Sequence, residues 1–167
     1  MNSPVDVNAV DMLTAQHEEV ASLFEKLADA SSPRRKQQLF EALADMLAVH
    51  VTIEERHFYP GVKKQQTEDI LLESVEEHLE VKRLIADLME MDAGDDQFEA
   101  KATVLQENVE HHVEEEETEL FPKVEKLIDE EQLEAIGAAM EETQVELKRE
   151  GNPRDAIPGE TDVAAPI

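Results

Sequence analysis

The stretch HVTIEERHFYP, residues 50–60, decides the fold because it places His50 and Glu54 four residues apart in a helical pattern. Residues at i and i+4 lie one above the other on a helix face, so these two side chains can converge on one point. Residues 112–122 read HVEEEETELFP and repeat the plan, with His112, Glu116 and a closing aromatic–Pro pair. The spacing favours these two histidines over the alternative register of His111 with Glu115, which breaks the alignment of the two prolines.

The repeat extends to the segments that precede these stretches. HEEV at 17–20 and HLEV at 78–81 lie 61 residues apart, and the two His-x3-Glu pairs lie 62 residues apart. The chain therefore consists of two helical hairpins, each with one His on its first helix and His-x3-Glu on its second. Packed face to face, the hairpins would form a bundle with approximate twofold symmetry.

The spacing of the apolar residues is helical nearly throughout and predicts an all-α, up-down-up-down four-helix bundle over residues 1–124. Pro33 is placed at the start of the second helix, which we expect to stop at Pro60-Gly61. The third helix begins at about Thr67, and the fourth runs from about Asp96 toward Pro122. The predicted core stripes are Val10, Leu13, His17, Val20, Phe24 and Leu27; Leu39, Leu43, Met46, His50, Ile53, Glu54 and His57; Leu71, Val75, His78, Val81, Ile85 and Leu88; and Phe98, Leu105, Val109, His112 and Glu116.

Two segments follow the bundle. Residues 125–150 predict an additional, acidic C-terminal helix that packs on or near the bundle. Residues 151–167, GNPRDAIPGETDVAAPI, are rich in Pro and Gly and lack periodicity, which predicts a mobile tail.

Composition and charge limit which classes of partner the protein can bind and indicate the cellular compartment in which it is expected. Acidic residues outnumber basic ones 41 to 15, for a net charge of −26, and the chain has no Cys. This charge disfavours binding to nucleic acid and to anionic membranes. The N-terminus does not resemble a signal peptide and no apolar run is long enough to span a bilayer. We expect a cytoplasmic protein, as a monomer or weak homodimer, with a small ligand as its partner.

Four histidines and two glutamates are predicted to face the core. A lone His on an apolar stripe is usually a hydrogen-bonded core residue, and one His-x3-Glu pair on a charged helix means little. Burying two carboxylates without cations, however, would cost several kcal/mol each. Lys82 and Arg83 do not lie on the core-facing stripes, where they could neutralise these two carboxylates. The pattern thus predicts a metal centre formed by His17, His50, Glu54, His78, His112 and Glu116.

The donor types indicate which metals suit this centre. Imidazole and carboxylate ligands favour Fe, Mn or Zn, and the absence of thiolates weakens a structural zinc site. Six ligands are too many for one tetrahedral ion. Two six-coordinate ions, with bridging glutamates and a bridging oxygen, would leave positions open for an exogenous ligand. This predicts a dinuclear, redox-capable centre.

The order His17, His50-x3-Glu54, His78, His112-x3-Glu116 resembles the hemerythrin HHE cation-binding family over residues 8–124. The resemblance implies a non-haem centre of two iron ions, oxo- or hydroxo-bridged, with manganese as an alternative. The four histidines would be terminal ligands and the two glutamates the bridges. Oxygen-carrying hemerythrins have a further His at the position of Lys82, and their last motif has a longer His-to-Asp spacing. The resemblance therefore points to peroxide disproportionation, iron oxidation or sensing rather than to reversible oxygen carriage.

Three further residues are candidates around this site. His57 could be an extra ligand or a proton donor beside the ligands. A partly exposed His at the helix end is the simpler interpretation. Tyr59 matches Phe121 in the repeat, so both are interpreted as anchors that close the bundle end, with a hydrogen-bonding or redox phenol as the alternative for Tyr59. His111 is expected at the surface.

The leading hypothesis is a di-iron protein that binds or turns over a small oxidant (hydrogen peroxide, O₂ or NO), with peroxide disproportionation the most concrete activity. Two other metal hypotheses are a non-enzymatic oxygen, NO or iron sensor and a ferritin-like ferroxidase. The ferroxidase is disfavoured because Glu54-x-x-His57 has no second copy, Glu119 standing in place of a His. A metal-free acidic bundle is the remaining alternative.

Overall fold

The structure, a computed structural model, describes residues 7–167, and that part of the chain is helical without any strand. Its α-helices are α1 (Ala9–Asp29), α2 (Pro33–Ile53), α3 (Tyr59–Val62), α4 (Glu68–Met89), α5 (Asp96–Glu115), α6 (Phe121–Leu127) and α7 (Glu130–Glu150). Two π-helical segments, Glu54–Phe58 and Glu116–Leu120, join α2 to α3 and α5 to α6, and a 3₁₀ helix covers Pro153–Glu160. No helix within residues 7–167 is long and apolar enough to cross a membrane.

The predicted four-helix bundle is confirmed, with α1 packed on α2 and α4 packed on α5. Local sequence explains where these helices begin. The Asn8 side chain accepts a hydrogen bond from the Asp11 N–H, and Ser32 caps α2 in the same way ahead of Pro33. The four predicted stripes lie inside the bundle, except that Met46 and His57 are only partly buried.

The sequence predicted that the second bundle helix stops at Pro60-Gly61 and that the fourth runs toward Pro122, but both helices extend past these residues. They continue to Val62 and Leu127 through the two π-helical segments. Proline lacks an N–H and its ring collides with the carbonyl four residues earlier in an α-helix. The wider π turn before each proline relieves this conflict, with the Tyr59 N–H bonded to the Glu54 carbonyl and the Phe121 N–H to the Glu116 carbonyl.

The core consists of two apolar clusters with a polar layer between them. On α1, Leu13 belongs to one cluster and Val20 to the other, and His17 lies between them. On α4, Val75 and Val81 flank His78 in the same way. The predicted metal-binding residues therefore lie at mid-height, shielded from water by packed side chains above and below.

The additional C-terminal helix is present as α7, which packs on α1, on α2 and on the first π-helical segment. The approach to α1 is close at Gly137, where an added Cβ would collide with the Val7 carbonyl oxygen. The helix therefore covers one side of the bundle rather than extending away from it.

The tail differs from the mobile segment that its composition predicted. Ile157 is 2% exposed in the apolar cluster formed by α1, α2, α4 and α5. Arg154 bonds Asp45 on α2 twice, through its backbone N–H at 3.0 Å and its Nη1 at 2.8 Å. Arg83 on α4 donates to the Thr161 carbonyl at 2.9 Å. One buried side chain and polar contacts to two helices hold the tail, and neither can be inferred from its composition.

Replacing Ile157 with Ala is expected to lower the free energy of unfolding by about 2–5 kcal/mol, because the deletion leaves a cavity in the core. Val163→Ala is the control in the same tail, since Val163 is 72% exposed and should change stability by less than about 0.5 kcal/mol. Urea unfolding of the full chain measures both. Equal stabilities for the two variants would mean that the tail does not pack on the bundle.

Candidate metal centre

The structure brings all six predicted ligands together from four helices. His17 lies on α1, His50 and Glu54 on the second bundle helix, His78 on α4, and His112 and Glu116 on the fourth. Each of the six is at most 6% exposed. They form two groups, His17–His50–Glu116 and Glu54–His78–His112, in which one ligand atom of every member lies within 4.8 Å of the others.

Each glutamate lies between one His of each group. Glu116 Oε1 is 3.2 Å from His17 Nε2 and 3.4 Å from His112 Nε2. Glu54 Oε1 is 3.0 Å from His50 Nε2 and 3.3 Å from His78 Nε2. Each glutamate therefore contacts histidines of both groups.

The interior of the site is short of hydrogen-bond partners. Both oxygens of Glu54 and the Nε2 of His50 are buried without one, although these two residues approach to 3.0 Å. His78 Nε2 and His112 Nε2 are 3.1 Å apart. Two nitrogens at right angles on one ion, each about 2.1 Å from it, would be separated by about 3 Å. Lone pairs that converge in this way fit a shared cation better than a hydrogen-bond network.

Two histidines are held in orientation by a contact to the ring nitrogen that faces away from the centre. His50 Nδ1 lies 2.7 Å from Gln16 Oε1, and His112 Nδ1 lies 2.9 Å from Glu77 Oε1. Both oxygens accept, so each Nδ1 carries the proton and each Nε2 presents its lone pair to the centre. Gln16 and Glu77 occupy equivalent positions in the two hairpins, 61 residues apart. The repeat is therefore a signal that the sequence analysis could have used to find them.

The other two histidines face a carboxylate of the opposite hairpin. His17 Nδ1 is 3.5 Å from Glu117, and His78 Nδ1 is 3.5 Å from Glu55. Glu55 and Glu117 are again equivalent in the repeat. The pairs differ in their surroundings, because the side chain of Glu117 is 37% exposed whereas that of Glu55 is buried.

Lys82 is buried, contrary to the expectation that it lies off the core stripes. It is 3% exposed and its Nζ is 2.6 Å from Glu55 Oε1. Burial opposes ionisation of Glu55, but His78 and Lys82 outweigh it and lower the pKa of this carboxyl. Lys82 thus neutralises Glu55, and no lysine or arginine among the described residues pairs with Glu54 or Glu116.

Tyr59 is part of the site rather than only an anchor of the bundle end. Its side chain is fully buried, and its hydroxyl lies 3.0 Å from Glu116 Oε2, 3.1 Å from His78 Nε2 and 3.3 Å from His112 Nε2. The π turn is the reason, because an i→i+5 turn puts Tyr59 one turn after Glu54 on the same face. Phe121, its equivalent, stacks on the His17 ring at 5.9 Å.

The same π turn moves His57 away from the centre. His57 Nε2 lies 2.6 Å from Thr143 Oγ1 on α7, and the ring belongs to neither metal-binding group. The sequence assumed an unbroken α-helix, in which His57 would follow His50 on one face. His57 is thus a contact between the bundle and α7.

His111 is at the surface as predicted, with its side chain 63% exposed. Its Nε2 lies 3.2 Å from Glu115 and 3.6 Å from Glu77. The alternative register of His111 with Glu115 therefore exists only as a surface contact.

The two central carboxyls differ in acidity although the repeat makes them equivalent. Burial and the negative charge of Glu54 raise the pKa of Glu116 to about 7. Burial also opposes ionisation of Glu54, but the neighbouring His50, Glu116 and His112 side chains outweigh it and lower its pKa. Burial likewise opposes protonation of His112, yet the Glu116 and Glu54 carboxylates raise its pKa well above the ordinary value. Without metal, protons take the place of cations in this site.

A small chamber adjoins the four histidine rings on the side of the larger apolar cluster. Its volume is about 20 Å³, and apart from the histidines its lining is Val20, Leu47, Val51, Val81, Val109 and Val113. A cavity of this size holds about one water-sized molecule. The chamber fits a small uncharged molecule beside the centre.

Comparison with known proteins agrees with this geometry. The sequence matches the family model described as Hemerythrin HHE cation binding domain over residues 8–124. A crystal structure of a hemerythrin HHE cation binding domain-containing protein from Mycobacterium kansasii has a TM-score of 0.76, with 23% identity, and covers 92% of this chain and 99% of its own. A protein named DNA nickase from Nostoc sp. (strain PCC 7120) is 29% identical over 129 residues, which are 77% of this chain but only 37% of that protein.

Lys82→Met is expected to lower the free energy of unfolding by about 3–5 kcal/mol, because Glu55 then remains buried without its cation. The double variant Glu55→Gln/Lys82→Met should recover most of this loss, since no buried charge is left unpaired. Lys101→Met is the matched control, as Lys101 pairs with Asp87 at 3.1 Å on the surface, and should cost less than about 1 kcal/mol. Thermal or urea unfolding gives all three values, and a small loss for Lys82→Met alone would contradict the buried pair.

Proposed function

This chain belongs to the hemerythrin HHE cation-binding domain family, and we propose that its centre holds two iron ions and disproportionates hydrogen peroxide. His17, His50 and Glu116 would bind one ion, and Glu54, His78 and His112 the other. The two glutamates would bridge the ions. Manganese is the second metal that this donor set accepts.

The observation that carries the proposal is the burial of two carboxylates and four imidazoles with no lysine or arginine against Glu54 or Glu116 in the described residues. Isolated buried carboxylates are costly unless they are paired or bind a metal. The position of each glutamate between the two groups of histidines favours two ions over one. Nitrogen and oxygen donors without thiolate favour iron or manganese over a structural zinc.

Bound iron would supply two-electron cycling between the ferrous and ferric states, as the overall reaction of two H₂O₂ to two H₂O and O₂ requires. The chain supplies orientation, shielding and protons. Gln16 and Glu77 keep the lone pairs of His50 and His112 directed inward. The Tyr59 hydroxyl donates to Glu116 at 3.0 Å and would be a buried proton donor at the centre. The apolar chamber favours a small uncharged substrate over an anion.

A second candidate function is sensing of O₂, NO or iron without turnover. Contacts between the site and α7 favour it: Gln16, which bonds His50, also donates to Gln144 at 2.7 Å, and His57 reaches Thr143. Occupancy of the centre could thus alter the packing of α7. Reversible spectral changes on adding NO, without oxygen release from peroxide, would favour the sensor over the enzyme.

Two other functions fit the site less well. A ferritin-like ferroxidase would use the Glu54-x-x-His57 motif, but His57 faces α7. The relative from Nostoc carries the name DNA nickase, but most of that protein lies outside the matched region. A net charge of −26 also disfavours contact with a phosphate backbone. We therefore propose no action on DNA.

The test of this proposal is metal analysis of the purified chain followed by oxygen release on adding peroxide. We expect about two irons per chain, ligand-to-iron charge-transfer absorption and oxygen release well above that of free iron. His112→Ala should lose at least about half of the bound iron and nearly all of the oxygen release, because it removes a ligand of one ion. Its matched control is His111→Ala, the same change at the neighbouring exposed residue, which should leave both unchanged. A chain that binds iron but releases no oxygen above the His112→Ala level would exclude the peroxide reaction.

Metal should stabilise the chain more at pH 8 than at pH 6. The carboxylates outweigh burial and raise the pKa of His17, His78 and His112 above 6.5 in the metal-free chain. Their contribution to metal-free stability is therefore complete below pH 6.5 and lost as the pH rises through the raised values. Metal binds only the neutral imidazoles. Each proton that the metal displaces therefore makes the free energy of metal binding about 1.4 kcal/mol more favourable per unit rise in pH. Melting temperatures with anaerobic Fe²⁺ and with chelator give the difference at each pH, and a larger metal effect at pH 6 would contradict this assignment.

A further inference from the structure

We propose that small neutral ligands reach the centre through one groove, between α1 and α5, and that Ala21 sets the width of this entrance. The inference rests on the proposed function, because it identifies the route to the same site. It also assigns the two halves of the centre different access, with the side of His17 open and the side of His78 closed.

The groove is an open depression of about 370 Å³ between α1 and α5. The apolar residues that line it are Val20, Ala21, Phe24, Val109 and Val113. Three of its lining residues, Val20, Val109 and Val113, also line the buried chamber beside the four histidines, as does His17 itself. The surface depression and the chamber thus share four lining side chains and lie next to each other.

The repeat places an equivalent groove between α2 and α4, and there it is closed. The residue equivalent to Ala21 is Lys82, whose buried side chain binds Glu55 at 2.6 Å. The tail covers this face, with Ile157 buried against the core and Glu160 3.3 Å from Lys82. On the α1–α5 face, Ala21 is exposed, and no part of residues 7–167 covers it. Two independent features, a long side chain and the tail, therefore close one entrance and are missing at the other.

The rim of the open groove adds selection by charge. Glu110, Glu114 and Glu117 line it along one side, and the whole chain carries a charge of −26. Carboxylates at an entrance repel anions and do not hinder neutral molecules. The groove therefore suits hydrogen peroxide, O₂ or NO over superoxide or other small anions.

Ala21→Leu tests the entrance by stopped-flow binding of nitric oxide to the anaerobic, iron-loaded chain. A larger side chain should slow both association and dissociation by the same factor, about tenfold, and leave Kd unchanged, because it obstructs a path without touching the bound state. Ala15→Leu is the matched control, as Ala15 is exposed on the same helix but does not line the groove. It should leave both rates unchanged. An unaltered association rate in Ala21→Leu, or a change in dissociation alone, would overturn the proposal.

A second measurement needs no metal and separates this inference from the proposed function. In the metal-free chain, diethyl pyrocarbonate should carbethoxylate His17 before His78, since only His17 lines the open groove. Peptide mass spectrometry at low conversion gives the order, with exposed His111 as the internal reference. Ala21→Leu should slow His17 and leave His111 unchanged. Equal rates for His17 and His78 in the unaltered chain would overturn the proposal even if the chain binds iron, whereas a chain without iron would still give this order if the groove is the entrance.

Discussion

The burial of Glu54 and Glu116 is the constraint on which the rest of this structure depends. Two carboxylates in the interior, with no lysine or arginine against them within residues 7–167, require either protons or metal ions in the same layer. The histidines from four helices meet that requirement, and their outer contacts with Gln16 and Glu77 aim their lone pairs at the glutamates. A polar layer of this kind divides the core into two clusters, and the apolar residues of both clusters keep water away from it.

The approximate twofold repeat sets the positions of the six residues, and departures from the repeat give the two halves of the centre different surroundings. Equivalent positions hold each glutamate between two histidines, which is the arrangement that bridging needs. The two halves of the centre differ at three pairs of equivalent positions. These hold Tyr59 and Phe121, Glu77 and Gln16, and Lys82 and Ala21. One half then has a phenol, a charged partner behind its histidine and a closed surface. The other has an aromatic ring stacked on its histidine and an open groove.

Much of this was readable from residue spacing. The four helices, their apolar stripes and the convergence of His17, His50, Glu54, His78, His112 and Glu116 follow from i, i+4 periodicity and from the repeat, because both depend on local helical geometry. Spacing left open whether Tyr59 and His57 reach the centre. A π turn before Pro60 shifts the register, and periodicity assumes that no such shift occurs.

The sequence by itself therefore determined the bundle, its polar layer and the six side chains that meet there. Only the tertiary structure decided the pairing of Lys82 with Glu55, the packing of Ile157 and the tail on α2 and α4, and the open groove at Ala21. The physical reason is the separation along the chain of the residues that interact. Helical periodicity is set by neighbours three and four residues away, whereas these contacts join residues far apart in the chain whose apposition depends on how the helices pack.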